Sequence, residues 1–167
     1  GDKVMLAGNI GKSAIRELPK LTKSNIIVLE VSSLQLDEMR RSMQSPHVSL
    51  LTNISQDHLN WHKDFDDYVD CKLTLFKYQK KGGIAVINLD DPLSEKAESI
   101  IRKTPATLVT FSAHDSSATY FRDRTAVYEN GKRFTNLDCM KIDGEHNYDN
   151  ALGAIALARQ MDVSKEN

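Results

Sequence analysis

The chain has 167 residues, 40% of them hydrophobic and 27% charged, with 22 basic against 23 acidic side chains and a net charge of −1. That is the size of one ordinary domain with room for a core that needs no staple, and two cysteines, Cys71 and Cys139, make no disulfide framework. Spread basic residues argue against a nucleic-acid partner, and no apolar run of membrane-spanning length or basic-then-apolar leader occurs, so the expectation is a soluble cytoplasmic protein outside the membrane.

In chain order, Lys3–Ala7 reads as a short buried strand, and Ser13–Leu18 as a helical stretch ended near Pro19. Ile26-Ile27-Val28-Leu29 is a continuous apolar run of strand length, the pattern of a parallel strand covered on both faces. His47–Thr52, opened by Pro46, is a second such strand. Phe65–Tyr78 has helical period, Gly83–Ile87 is another buried strand, Ser94–Arg102 a helix and Thr107–Phe111 a strand. Thr119–Thr135 holds two alternating runs around Glu129-Asn130-Gly131-Lys132, where Asn-Gly predicts a hairpin, and Asn147–Met161 is an alanine-rich helix. Alternating strands and helices predict an α/β domain with a mainly parallel sheet flanked by helices and a small antiparallel appendix.

Polar residues gather where the predicted strands end: Asn9, then Glu30, Ser32 and Ser33, then Asn53, Asp57 and His58, then Asn88, Asp90 and Asp91. Open parallel sheets bind ligands at the carboxyl ends of their strands. Ser, Asn and Asp also form turns and cap helices, so each residue alone is open to that plainer reading. Capping does not call for a Glu and then a His at successive strand ends.

Lys72 completes the apolar stripe of Phe65, Tyr68, Val69, Leu75 and Phe76 on its predicted helix. A lysine there either snorkels along the stripe or is a partly desolvated amine at a functional site. Such an amine can act as a nucleophile, or take up carbon dioxide and offer carbamate oxygens to a hard cation. Asn147 and Asn150 are three apart on the last helix and share a face. Their paired donors and acceptors suit a purine edge, and capping by Asn147 is the alternative.

Taken in order, Leu29-Glu30-Val31-Ser32-Ser33, Asn53-Ile54-Ser55-Gln56-Asp57-His58-Leu59, Lys72-Leu73-Thr74-Leu75-Phe76, Asn88-Leu89-Asp90-Asp91 and Gly144-Glu145-His146-Asn147-Tyr148-Asp149-Asn150 resemble the Mur ligase family over nearly the whole chain. Gly8-Asn9-Ile10-Gly11 and Ser32-Ser33-Leu34-Gln35-Leu36 are most similar to the branch that joins D-glutamate to UDP-N-acetylmuramoyl-L-alanine in peptidoglycan precursor synthesis. Folylpolyglutamate synthetases differ at both motifs. The resemblance implies the family's ATP-binding central domain and a monomeric cytoplasmic enzyme using ATP and Mg2+. It implies that ATP phosphorylates the substrate carboxylate and that an amine displaces the phosphate to leave an amide.

By the same resemblance, Glu30 would bind magnesium at the ATP phosphates and His58 a second magnesium. Lys72 would be the carbamylated lysine supporting that second metal, Asn147 and Asn150 would face adenine, and Asn9, Ser32 and Gln35 would lie near the muramoyl substrate. After His58-Leu59 the family often continues with Asp and Arg, where this chain has Asn60-Trp61. The family's glycine-rich phosphate loop is expected to precede Gly1. Gly11-Lys12-Ser13 does not replace it, because the motif's upstream glycine would fall at Met5 or Leu6. Residues 1–167 are therefore expected to be a partial central domain, without the phosphate loop and the N- and C-terminal domains. Another Mur-type or folylpolyglutamate ligase, and a non-catalytic binding domain of the same fold, are the competing readings.

Overall fold

A computed structural model describes residues 4–10, 14–22, 24–55, 61–142, 144–161 and 163. Strands β1 (Val4–Gly8) and β2 (Ile26–Glu30) form a parallel pair, linked by a short helix α1 (Ala14–Glu17) and a 3-10 turn at Leu18–Lys20. Helix α2 (Ser33–Arg41) leads to β3 (Val48–Leu51), and α3 (Phe65–Lys72) and α4 (Thr74–Lys77) follow. Then come β4 (Ile84–Asn88), α5 (Ser94–Ile101), β5 (Thr107–Ser112), β6 (Tyr120–Asp123), β7 (Ala126–Glu129), β8 (Lys132–Asn136) and α6 (Glu145–Arg159). The second sheet runs β3-β4-β5-β6-β7-β8, parallel through β6 and antiparallel from β6 to β8.

Period-two alternation along β4 sends Ala85 and Ile87 to one face and Val86 to the other, giving two cores. The first gathers Leu51, Tyr68, Val69, Leu73, Phe76 and Ile101 under α3, α4 and α5. The second gathers Val86, Val109, Phe111, Tyr120 and Leu152 under α6, which crosses β3 to β6. Gly153 lets α6 approach closely, since a Cβ there would stand 2.9 Å from the buried Phe111 ring.

Three expectations are corrected. The run Ile26–Leu29 is not covered on both faces: Ile27, Val28 and Leu29 are exposed, as are Val4 and Leu6 beside them. No described helix is laid over this pair as α6 is over the main sheet. The predicted helix Phe65–Tyr78 is two helices, α3 and α4, broken at Leu73. Ser45 ends the second one: its hydroxyl donates to the Thr74 carbonyl at 2.5 Å and accepts from the Tyr78 amide at 2.9 Å, replacing the helical bond between them. The two alternating runs of Thr119–Thr135 are three strands, because Arg124 (φ 55°) makes a turn before the Asn130-Gly131 turn (φ 49° and 73°).

Helix α2 carried no periodicity strong enough to be expected. Its start is a capping box: Gln35 N donates to Ser32 Oγ at 3.4 Å, and Ser32 N to Gln35 Oε1 at 2.9 Å. This helix ties the β1–β2 pair to the rest. Leu36 is buried, Cys71 Sγ donates to the Ser33 carbonyl at 3.0 Å, and Arg40 reaches Asp67 on α3 at 2.8 Å.

Candidate functional site at the carboxyl rim

Gly8 and Glu30 are register partners at the carboxyl ends of β1 and β2. Gly8 has φ 113°, and a Cβ there would lie 2.1 Å from the Glu30 carbonyl, so this crossing demands glycine. The Asn9 amide donates to the same carbonyl at 2.8 Å. The backbone is therefore held tightly, while the Asn9 and Glu30 side chains stay exposed at the rim. The Glu30 carboxylate makes no hydrogen bond or ion pair with another described residue. An uncommitted carboxylate on a rigid strand end can receive a cation or a hydroxyl.

Ser32 and Gln35 are turned toward each other by the capping box, so the plain capping reading accounts for both side chains here. His58 and Asp57 lie outside the described residues, as do Gly11-Lys12-Ser13 and Gln56. The described part of the loop that leads to His58 is clamped from β4. Asp91, buried at 8% exposure, accepts from the Ile54 amide at 2.6 Å and from the Leu93 amide at 2.8 Å. Asn88 Nδ2 donates to the Thr52 carbonyl at 3.1 Å. Asp90 accepts from Ser112 Oγ at 2.5 Å and the Ala113 amide at 2.7 Å. The polar cluster Asn88, Asp90 and Asp91, read from the sequence as rim chemistry, spends its side chains holding the neighbouring strand-end loops in place.

Lys72 ends α3, half-buried, with Nζ 5.7 Å from the Tyr68 ring centroid. Tyr68 in turn meets His62 edge to face at 5.3 Å. His62 is almost wholly buried: Nδ1 lies 3.5 Å from Asp67 and Nε2 has no hydrogen-bond partner among the described residues. The Arg40 guanidinium, hydrogen-bonded to Asp67, holds that carboxyl below the usual range. Burial pushes the Cys71 thiol up to about 11, which leaves it protonated and inert.

Helix α6 is capped by Gly144 (φ 114°), so Asn147 is three residues inside the start and is not the cap. Asn147 is half-buried and Asn150 exposed. Phe121 pairs with Ser112, the last residue of β5, so Arg122 extends past the rim. It accompanies the first turns of α6 there, donating to Asp149 and Glu145 at 2.7 Å each. In the sequence Arg122 stands only in the short basic run Arg122-Asp123-Arg124. Its alternation with buried Tyr120 on β6 is the pattern that marks it as inward-facing.

Glu30 supplies one hard oxygen donor, and no group of three or more metal-ligating side chains occurs among the described residues. Magnesium keeps several of its waters and takes one or two carboxylates, so a single exposed carboxylate at a strand end fits it. Lys72 as an ammonium is no ligand and would need conversion to an anion.

A family model described as the Mur ligase middle domain matches residues 10–158. The UDP-N-acetylmuramoylalanine--D-glutamate ligase of Clostridium novyi (strain NT) is 32% identical over 169 residues, covering 100% of this chain and 35% of that protein. The enzyme of the same name from Streptococcus agalactiae is 30% identical, covering 99% of this chain and 36% of its own length. The chain thus spans about a third of the length of the curated relatives it matches. Among solved structures, a UDP-N-acetylmuramoyl-L-alanyl-D-glutamate--2,6-diaminopimelate ligase superposes with TM-score 0.70 at 20% identity, over 98% of this chain and 44% of that one. MurF from Thermotoga maritima in complex with ADP superposes with TM-score 0.61 at 15% identity, over 98% and 46%. These two likenesses establish the fold.

Proposed function

We propose that this chain, which belongs to the Mur ligase family, is the larger part of the ATP-handling domain of a ligase that joins D-glutamate to UDP-N-acetylmuramoyl-L-alanine. The observation that carries this is the end-to-end match, at 32% identity, to a protein named as that ligase. In the proposed reaction a substrate carboxylate oxygen attacks the γ-phosphorus of ATP, releasing ADP. The amine of D-glutamate then adds to the acyl phosphate, and the tetrahedral intermediate expels phosphate, leaving an amide.

We assign Glu30 and His58 as magnesium holders, with Lys72 supporting the second ion as its carbamate. Magnesium, when bound, would neutralise charge on the phosphoryl oxygens. Asn147 and Asn150 are assigned to adenine, and Asn9, Ser32 and Gln35 to the muramoyl side. What supports the assignments is placement: Glu30 and Asn9 share one strand-end rim with uncommitted side chains, and the loop toward His58 is braced from Asn88 and Asp91. Ser32 and Gln35 have the weaker support, since capping engages both.

The phosphate-binding loop is assigned to a strand outside this chain, inserted in parallel between β2 and β3. Among the described residues β2 pairs only with β1 and β3 only with β4, and Val4, Leu6, Ile27, Val28 and Leu29 on this pair are exposed. The test is phosphate release by the full-length protein with ATP, magnesium and UDP-N-acetylmuramoyl-L-alanine. Release that requires D-glutamate supports the reading. Release driven by another amino acid, or by a folate in place of the muramoyl substrate, gives the chain to another ligase of this type, and no release under any pairing marks a non-catalytic domain.

A further inference from the structure

Helix α6 is fastened at both ends to the same antiparallel hairpin. At its carboxyl end Arg159 meets Glu129 at 3.3 Å, Tyr120 donates to Glu129 at 2.6 Å, and Gln160 donates to the Tyr120 oxygen at 3.2 Å. At its amino end the fastening is Arg122. This side chain is only 5% exposed, and all three of its nitrogens are used: Nε on Asp149 at 2.7 Å, Nη2 on Glu145 at 2.7 Å and Nη1 on the Arg124 carbonyl at 3.0 Å. The guanidinium also lies 5.8 Å from the Tyr148 ring centroid.

A buried ion pair adds little net stability compared with an apolar contact of the same size, because desolvation offsets the attraction. Its distinctive property is direction, since the planar fork accepts carboxylates in one geometry only. Glu145 and Asp149 are four apart and lie on one side of α6. Asn147 and Asn150 are centred about 150° around the helix from them, at 100° per residue. The arginine therefore holds the back of the helix while the asparagine face looks the other way.

We infer that Arg122 is a positioning residue for the nucleotide base: by bracing the first two turns of α6 from behind, it sets the direction in which Asn147 and Asn150 face. This rests on the assignment of those two residues to adenine. It also gives the antiparallel appendix a role, as the frame that fixes the purine end of a parallel-sheet nucleotide site. Asp149 carries the inner half of the brace, with its side chain 34% exposed, and Glu145, at 79%, the outer half.

The test compares two probes on the full-length protein by calorimetry with magnesium: ATP, and inorganic tripolyphosphate, which has the charge and no base. For Arg122→Gln the expected result is ATP binding weakened about tenfold, with tripolyphosphate binding within about twofold of wild type. Asp149→Asn should weaken ATP binding about threefold with the same selectivity, and Glu145→Gln should stay within about twofold, because its partner bond is exposed. If Arg122→Gln does not fold, Asp149→Asn carries the comparison. Unchanged ATP affinity in the variants, or equal loss for both probes, overturns the positioning role while leaving the ligase reading intact. No ATP binding by wild type removes the ligase reading, and the positioning role with it.

Discussion

Lys72 lies at the carboxyl end of α3, where the side chain is half-buried and packs over Tyr68. The sequence stripe already marked it as out of place among apolar neighbours, and of the stripe's other members Tyr68, Val69 and Phe76 are buried and Phe65 and Leu75 half-buried. In the full-length protein Lys72→Ala should abolish ligation, and added formate or acetate should return part of it by supplying the missing anion. Full activity of Lys72→Ala in carbonate-free buffer would make it a packing residue. A second residue-scale expectation concerns Asp67. Its carboxyl titrates below the usual range because it accepts from Arg40. A depressed folded-state value stabilises the fold above the unfolded value and loses that contribution as pH falls through the folded one. Asp67→Asn should therefore lower the melting temperature at pH 7, by the equivalent of about 1 kcal/mol or less for so accessible a pair, and the difference should narrow as pH falls below the ordinary carboxylate value of about 4. A gap that widens in acid would contradict the pairing.

At the scale of elements, α6 and β5 show what close approach costs. Gly→Ala in a helix interior ordinarily stabilises by up to about 1 kcal/mol. At Gly153 the new methyl would stand 2.9 Å from a Phe111 ring that is itself buried. Gly153→Ala should lower stability by about 1–3 kcal/mol in chemical denaturation, and a gain would mean that the ring yields freely. Strand positions were legible because continuous apolar runs and the Asn-Gly turn act locally. Helix α2 was not, because its face is sparse: Leu36 packs inward, but Asp37, Glu38, Arg40 and Arg41 dominate the rest. Its one local sign was the Ser32 to Gln35 spacing. The close of α4 was invisible for another reason, since it depends on Ser45 arriving from 29 residues away. Asp91 illustrates the same limit. Its place in a strand-end motif was readable, but its service to the Ile54 amide, 37 residues distant, is a tertiary fact.

Over the whole molecule, one sheet is well enclosed and the other is not. The β3–β8 sheet has cores on both faces, whereas β1–β2 leaves Val4, Leu6, Ile27, Val28 and Leu29 exposed. Under the proposal, a strand and phosphate loop from chain outside this segment would cover those side chains. The segment alone should accordingly bind ATP poorly, because the loop's backbone amides provide most contacts to phosphate. Micromolar, magnesium-dependent binding by residues 1–167 in calorimetry would contradict this.

The most direct test of the rim as the ATP and metal site is anomalous diffraction from crystals of the full-length protein with manganese and a non-hydrolysable ATP analogue. The predicted result is one manganese peak on the Glu30 carboxylate beside the phosphates and a second beside His58 and a carbamylated Lys72. Manganese bound to the phosphates with Glu30 and Lys72 outside coordination distance would contradict it.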